Sequence, residues 1–391
     1  SGELRPVKGI INILEKLRNS GINEVFIPLD NLESSSLIDG IKIIAAKNLK
    51  EIFLHLKGEK TITNQIIEHN HEKAQNQTAL DDIIGQEQAK RALTIAIAGH
   101  HNILLTGPPG TGKTMLAQAA LNLLPNLSKE EILEVLKIHG LVEDVDSKIS
   151  RPFRTPHHTA SKVSIIGGGS KALPGEISLA HNGVLFLDEM PEFPKSVLES
   201  LRQPLEDRKI TISRTNRKSS YPANFMLIAT MNPCPCGFYG DETKECTCSP
   251  AQISNYQRKL SGPLIDRIDM VVNVNRIKNE NLLKTTPSKK SEHANAKKQI
   301  EKSLKLQHKR YGCSNLYNSM VKTNVVKNSF KISKEAEDLL NLATSKLDLS
   351  VRSYLKILKV SRTIADLEGS EEIKANHISE AIQYRQKTET Y

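Results

Sequence analysis

The sequence predicts an α/β fold: a parallel sheet flanked by helices, closed by a C-terminal helical lid and preceded by a smaller α+β piece. Three observations predict it. An apolar strand at residues 101–106 runs into Gly107-Pro108-Pro109-Gly110-Thr111-Gly112-Lys113-Thr114, and a helical run follows at 115–124. A second apolar strand, Gly183-Val184-Leu185-Phe186-Leu187, ends in Asp188-Glu189. Residues 332–383 carry helical apolar spacing at Ala336, Leu339, Leu340, Leu342 and Ala343, and again at Leu355, Leu358 and Ile364.

Composition bounds the rest. A chain of 391 residues holds two or three domains. With 38% apolar and 25% charged residues it reads as soluble and globular. There is no Trp and only 4% aromatics, so aromatic stacking is not the main binding mode. The net charge is +10 and the pI about 9.2, which favours a polyanionic partner, nucleic acid before membrane. No apolar run approaches the ~20 residues that span a bilayer. Four of the five Cys fall within fifteen residues. That spacing points to a local cluster in a reducing, cytoplasmic compartment rather than to a disulfide scaffold.

The chain opens Ser-Gly without an initiator Met, as a start cut within a longer protein would. Helical spacing covers residues 10–18, a short strand 24–28, a strand 41–46 and a helix 49–56. This order, from Gly2-Glu3-Leu4-Arg5-Pro6-Val7 through the helix to Glu24-Val25-Phe26-Ile27-Pro28, resembles the C-terminal part of a Lon-protease-like domain. That family needs a Ser–Lys dyad. Its Lys would fall near Ile11 and its Ser before residue 1, so residues 1–60 read as a fold remnant without peptidase chemistry. Residues 61–79 are polar and read as a linker.

Residues 107–114 spell G-x-x-x-x-G-K-T between a strand and a helix, the context that defines a P-loop. Its glycines let backbone N–H groups face phosphate oxygens at a helix N-terminus. Lys113 reaches the β- and γ-phosphates, and the Thr114 hydroxyl suits Mg²⁺. ATP and Mg²⁺ are therefore the expected cofactors. Asp188 would hold Mg²⁺ through its water shell, and Glu189 would act as general base on the attacking water. A third strand at 225–230 ends at Met231-Asn232, where an Asn can orient that water. Arg267, in Leu264-Ile265-Asp266-Arg267-Ile268-Asp269, suits an arginine finger reaching a neighbouring subunit's γ-phosphate. Arg352 opens a later helix and could touch the nucleotide. Each Arg alone would more often be an ordinary surface residue; their order after Asn232 raises them.

That order resembles the AAA+ ATPases over residues 80–391, with Ile84-Gly85-Gln86 similar to the family's adenine-side segment. A core at 80–276 and a basic helical lid at 277–391 follow. Four stretches resemble the magnesium-chelatase-like branch, and within it the ComM (YifB) family. They are Arg151-Pro152-Phe153-Arg154-Thr155-Pro156-His157-His158, Pro174-Gly175-Glu176-Ile177-Ser178-Leu179-Ala180-His181-Asn182-Gly183, Asn232-Pro233-Cys234-Pro235-Cys236-Gly237, and Leu358-Lys359-Val360-Ser361-Arg362-Thr363-Ile364-Ala365-Asp366-Leu367. The resemblance implies a homohexameric DNA translocase, a helicase-type ATPase driving branch migration during natural transformation on single-stranded, double-stranded and branched DNA. The residues themselves speak only for an ATP-hydrolysing ring component. A metal-chelatase motor subunit and a nucleotide-switched scaffold are the alternatives. Glu189, Asn232 and Arg267 together disfavour the scaffold, which has no need of a hydrolytic set.

Residues 209–222 read as a β-hairpin whose tip carries Arg214, Arg217 and Lys218. In related ring ATPases this hairpin points into the pore, and cations there suit phosphate contacts; a solvated turn is the bland alternative. Residues 151–161 read as neither helix nor strand. Arg154, His157 and His158 make this a substrate- or interface-contacting loop. Adjacent His on an extended chain point to opposite sides, which disfavours one shared metal. A mobile Gly-rich loop at 165–170 is expected to follow. Cys234, Cys236, Cys246 and Cys248 form two C-x-C pairs that could close a tetrahedral, structural Zn²⁺ site, or stay a reduced cluster. From Arg276 to Lys331 there are fourteen Lys/Arg against three Asp/Glu, so the formal excess sits in the lid. Residues 294–311 can form a basic helix, either a solvated face or a phosphate-binding ridge.

Overall fold

The computed structural model describes residues 2–63, 78–142, 150–214, 217–276 and 292–385. Most of the expected linker and residues 277–291, at the start of the expected lid, lie outside these residues. So do the tip of the 209–222 hairpin and the side chains of Arg214, Arg217 and Lys218.

Thirteen strands appear among the described residues: β1 Glu24–Pro28, β2 Lys42–Ala46, β3 Ile103–Thr106, β4 Phe153–Arg154, β5 Gly167–Gly168, β6 Leu173–Pro174, β7 Val184–Leu187, β8 Lys209–Arg214, β9 Arg217–Pro222, β10 Met226–Met231, β11 Met270–Asn273, β12 Lys331–Ile332 and β13 Glu372–Ile373. Five of them build one parallel sheet in the order β11-β3-β10-β7-β4. Successive side chains of a strand point to opposite faces. Accordingly Ile103, Leu105, Val184, Phe186, Met226 and Ile228 enter one apolar core, while Leu104, Leu185, Leu187, Leu227 and Ala229 enter the other. Both faces are covered, which explains why these strands read as unbroken apolar runs. This is the α/β core, a parallel sheet flanked by helices, expected from the sequence.

The first core is roofed by helices Glu87–Gly99 and Lys113–Leu123 and by the lid. Lid helices Glu292–Tyr311 and Val351–Glu368 pack on helix Glu87–Gly99. A buried polar seam runs along that contact. Gln307 donates to the Ala98 carbonyl at 2.8 Å, and His101 Nε2 meets Thr363 Oγ1 at 2.8 Å. A Cβ on Gly99 would stand 2.5 Å from Thr363 Oγ1, so only glycine admits the lid this closely.

The N-terminal piece is α+β, as expected: helix Ile10–Asn19, then β1 and β2 in parallel register, then helix Leu49–Leu56. It shares a core with the ATPase part. Ile11, Leu14 and Ile27 pack with Ile132, Val135 and Leu136 of helix Lys129–His139. Lys137 pairs with Glu15 at 2.7 Å.

Two expectations are corrected. Residues 151–161 are not all loop, because β4 is the edge strand of the central sheet. A two-residue strand after Pro152 carries no periodic signal, and its partner β7 supplies the order. Residues 165–170 are loop only at Gly169-Ser170, the start of the turn between β5 and β6. Helix Lys162–Ile166, capped by Ser161, leads into β5, which pairs with β6. A Cβ on Gly167 would lie 2.5 Å from the Leu173 carbonyl oxygen, so glycine here serves close strand approach.

Candidate nucleotide site and thiol cluster

The sheet brings the three motif-bearing strands together at their C-terminal ends. β3 lies beside β10, with Thr106 opposite Met231, and β10 lies beside β7, with Ala229 opposite Leu187. Gly107, Asn232 and Asp188 therefore leave one edge of the sheet as neighbours, the place where open α/β sheets bind ligands.

The P-loop is shaped to receive phosphate. Gly110 and Gly112 have φ of 77° and 86°, which a Cβ would strain. A Cβ on Gly107 would sit 2.2 Å from the Val274 carbonyl oxygen, so the loop lies hard against the residue after β11. Lys113 opens helix Lys113–Leu123 with its side chain folded back. Its Nζ donates to the carbonyls of Gly107 at 2.6 Å and Pro108 at 2.8 Å, and to Asn232 Oδ1 at 3.3 Å. Burial holds its pKa below the ordinary lysine value, opposed by the charges of Asp188 and Glu189. These carbonyls hold an ammonium that phosphate oxygens can recruit.

Thr114 Oγ1 donates to Asp188 Oδ2 at 3.3 Å, so the two groups expected at Mg²⁺ stand together. Both are exposed, as is Glu189. Glu189 has a left-handed backbone, φ 51° and ψ 49°, which costs a non-glycine residue about 1–2 kcal/mol. That kink ends the strand direction at Glu189. Thr230 holds the kink: its hydroxyl donates to Asp188 Oδ1 at 2.5 Å and accepts from the Glu189 N–H at 2.9 Å. Sequence reasoning missed Thr230. Its one signal was a polar residue closing an otherwise apolar strand.

Ile84 is 43% exposed beside Gly85, a free apolar surface of the kind an adenine ring covers. Gln86, the third residue of that segment, ties it down. Its Nε2 donates to the carbonyls of Thr111 at 3.3 Å and Asn275 at 2.7 Å.

Arg267 and Arg352 come from different elements and meet at one acid. Arg267 donates to Glu206 and to the Pro263 carbonyl, and Arg352 reaches the other Glu206 oxygen at 3.5 Å. Glu206 belongs to helix Arg202–Asp207, which leads directly into β8 of the hairpin. No sequence signal pointed to it.

Arg154 lies in β4 and makes a two-pronged pair with Glu176, at 2.6 and 2.9 Å. It is thus engaged within the fold. His157 and His158 do not point apart as an extended chain would require. A turn at His158-Thr159 brings their rings to 4.1 Å, and His157 Nδ1 contacts Thr159 Oγ1. The extended-chain premise is therefore corrected. Among the described residues the sole cluster of three or more His, Cys, Asp or Glu able to hold a metal is elsewhere.

That cluster is Cys234, Cys236, Cys246 and Cys248, whose sulfurs all lie within 4.8 Å of one another. Three Sγ–Sγ separations are 3.3, 3.6 and 3.6 Å. Tetrahedral sulfurs at the Zn–S length of about 2.3 Å would stand roughly 3.8 Å apart, so the set fits a four-thiolate metal centre. Hydrogen bonding from the Phe238 backbone N–H, its largest cause, pushes the Cys236 thiol down to about 6. The loop packs on the nucleotide site. A Cβ on Gly237 would fall 2.7 Å from Pro109 Cδ, and Gln257 fixes the Pro233 carbonyl at 3.1 Å.

Comparison with known proteins agrees with this geometry. Residues 79–282 match the family model described as magnesium chelatase, subunit ChlI, and residues 290–385 match its C-terminal model. The competence protein ComM of Haemophilus influenzae is 41% identical over 392 residues, covering 98% of this chain and 76% of that protein. YifB of Escherichia coli is 40% identical, covering 98% and 75%. The magnesium-chelatase 67 kDa subunit of Heliobacterium mobile is 28% identical over 200 residues, 42% of this chain and 29% of that one. A P-loop, an Asp-Glu strand and an Asn strand side by side, under two successive matches to one family, leave a plain conclusion: the chain belongs to the magnesium chelatase ChlI family of AAA+ ATPases, in its ComM (YifB) group.

Proposed function

We propose that the chain is a DNA-translocating ATPase, a homohexameric ring that promotes branch migration of recombination intermediates during natural transformation in the cytoplasm. The observation that carries the reading is the convergence of Lys113, Thr114, Asp188, Glu189 and Asn232 on one sheet edge, in a chain that also carries the β8–β9 hairpin. Backbone N–H groups of residues 110–114 cradle the phosphates, and Lys113 leaves its carbonyl partners for them. Thr114 and Asp188 would hold Mg²⁺, which when bound would supply charge that neutralises the phosphates. Glu189 accepts the proton of the attacking water, and Asn232 orients that water. Arg267, delivered by the neighbouring subunit, meets the charge that develops on the transferred phosphoryl group.

Natural transformation enters through the name of the Haemophilus relative, a competence protein. DNA enters through the basic residues at the hairpin tip, with His157 and His158 as a second contact and Arg154 as the anchor of their segment. The four thiolates hold Zn²⁺ in a structural role, since four protein ligands leave no open position for water. No helix among the described residues is long and apolar enough to cross a membrane.

The test is the ATPase rate of the chain with and without single-stranded, duplex and branched DNA, with Glu189→Gln as the inactive control. Stimulation and binding are expected. Hydrolysis without any response to DNA would sink the translocase. It would favour the second reading, a metal-chelatase motor, which the family model itself supports.

A further inference from the structure

We propose that the outer face of lid helix Glu292–Tyr311 is a phosphate-binding ridge for nucleic acid, formed by Lys298, Lys302, Lys305 and Lys309. The proposal rests on the DNA reading above and adds a contact site separate from the hairpin.

The geometry is that of a stripe. At about 100° per residue the four lysines fall within roughly 60° of one another around the helix axis. The buried residues of the same helix, Ala296, Ile300, Ser303, Leu304 and Gln307, centre on the opposite side. All four lysines are exposed. None forms an ion pair or hydrogen bond among the described residues. Some other lid cations are engaged, Lys331 with Glu371, Arg310 with Asp366, and Lys359 with the Ser319 carbonyl, whereas Lys322, Lys327 and Lys334 are free like the four but lie off this helix. The helix's only exposed acid, Glu301, stands about 70° off the stripe's centre.

Like charges three and four residues apart destabilise a helix. Lys298/Lys302, Lys302/Lys305 and Lys305/Lys309 are three such pairs in series. A polyanion would relieve all three together. At about 1.5 Å per residue the stripe is roughly 16 Å long, close to half a turn of duplex DNA. A rigid row of this length suits a regularly charged backbone better than a single phosphate.

An anionic membrane is the rival occupant. Helices that lie on membranes bury an apolar face in the headgroup region. Here that face is spent on the protein core, and the exposed side holds Leu306 as its one large apolar residue. The surface favours a hydrated, charge-only contact, as phosphate backbones make.

The test uses the chain carrying Lys298→Gln, Lys302→Gln, Lys305→Gln and Lys309→Gln together. Binding to a fluorescent 30-base-pair duplex is followed from 50 to 200 mM salt, beside binding to phosphatidylserine vesicles. Each duplex phosphate contact adds about 0.9 to the salt slope. Four contacts make about 3.6, so over this range the wild type should lose about a hundredfold more affinity than the variant. Basal ATPase rate should be unchanged. If the wild type binds duplex and the variant keeps its slope within about one unit, the ridge is wrong and the DNA reading stands. If the wild type binds no DNA at any salt, both fall. Wild-type binding to vesicles that the variant loses, with duplex binding unaltered, overturns the ridge in favour of a membrane contact.

Discussion

Thr230 and Asp188 sit on adjacent strands, and the threonine hydroxyl donates to the aspartate carboxylate at 2.5 Å. The same oxygen accepts from the Glu189 N–H. One side chain on β10 thus orients the end of β7 that carries both acids. Replacing Thr230 by Val keeps the shape and removes both bonds. The lost bond to a charged group is worth about 1.5–3 kcal/mol. Hydrolysis should fall ten- to a hundredfold with ATP affinity little changed, while Thr230→Ser retains most of the rate. Steady-state kinetics beside equilibrium ATP binding checks this. An equal loss of binding and rate would mean that Thr230 merely supports the fold.

Arg267 and Arg352 share Glu206, whose side chain is 51% exposed. The Arg352 side chain is 55% exposed, and an exposed pair contributes little, about 0–1 kcal/mol, so Arg352 can exchange Glu206 for a phosphate; Arg267, 13% exposed, would have to leave a more enclosed pair. If Arg267 acts on a neighbour's nucleotide, Arg267→Ala should lower kcat by a thousandfold or more and leave ATP binding intact. Mixing Arg267→Ala chains with Lys113→Ala chains, each inactive alone, should recover part of the activity, because one supplies an intact pocket and the other an intact finger. No recovery in mixed rings would place the arginine's action within its own chain.

Lys113 is buried among carbonyls, and its pKa is depressed by desolvation. Only the charged form attracts phosphate, and bound phosphate raises the pKa again. ATP affinity should therefore be flat at neutral pH and decline on the alkaline side. The decline should start below the pH at which an ordinary lysine loses its proton. Lys113→Arg, always charged, should show no such decline if it binds at all. Calorimetric titration of a non-hydrolysable ATP analogue from pH 7 to 10 gives the comparison, and parallel curves for the two chains would rule the idea out.

Much of this was legible in the chain because the signals were local. Parallel strands buried on both faces show as apolar runs, and the P-loop shows as glycines at fixed offsets before a helix. Even the hairpin could be read, from the strand-like residues on either side of Thr215-Asn216. What stayed hidden depends on neighbours that are distant in sequence. β4 is ordered by β7, thirty residues later. Thr230 matters only because β10 lies beside β7, an adjacency no residue pattern encodes. Glu206 gathers arginines 61 and 146 residues away. The close approach of the His157 and His158 rings depends on a turn that the flanking prolines conceal.

The thiol cluster gives the last prediction, because it abuts the nucleotide site. Cys234 and Cys236 follow Asn232 by two and four residues, and Gly237 lies against Pro109 of the P-loop with φ of 85°. A four-thiolate metal would cross-link this loop at its base and hold Gly237 against Pro109. Purified chain should contain about one Zn²⁺, measured by metal analysis. Chelation, or Cys246→Ser, should lower the melting temperature, since a structural metal contributes its binding energy to folding. It should also weaken ATP binding several-fold, because the support behind Pro109 loosens. Gly237→Ala separates the two effects. Its new Cβ would push on Pro109 while leaving all four thiols in place, so ATP affinity should drop with the metal retained. If chelation melts the loop but Gly237→Ala binds ATP as the wild type does, the cluster stabilises the fold without tuning the P-loop. If metal analysis finds no zinc in chain prepared under reducing conditions, the cluster is a set of free thiols, and the several-fold effect of chelation should vanish with it.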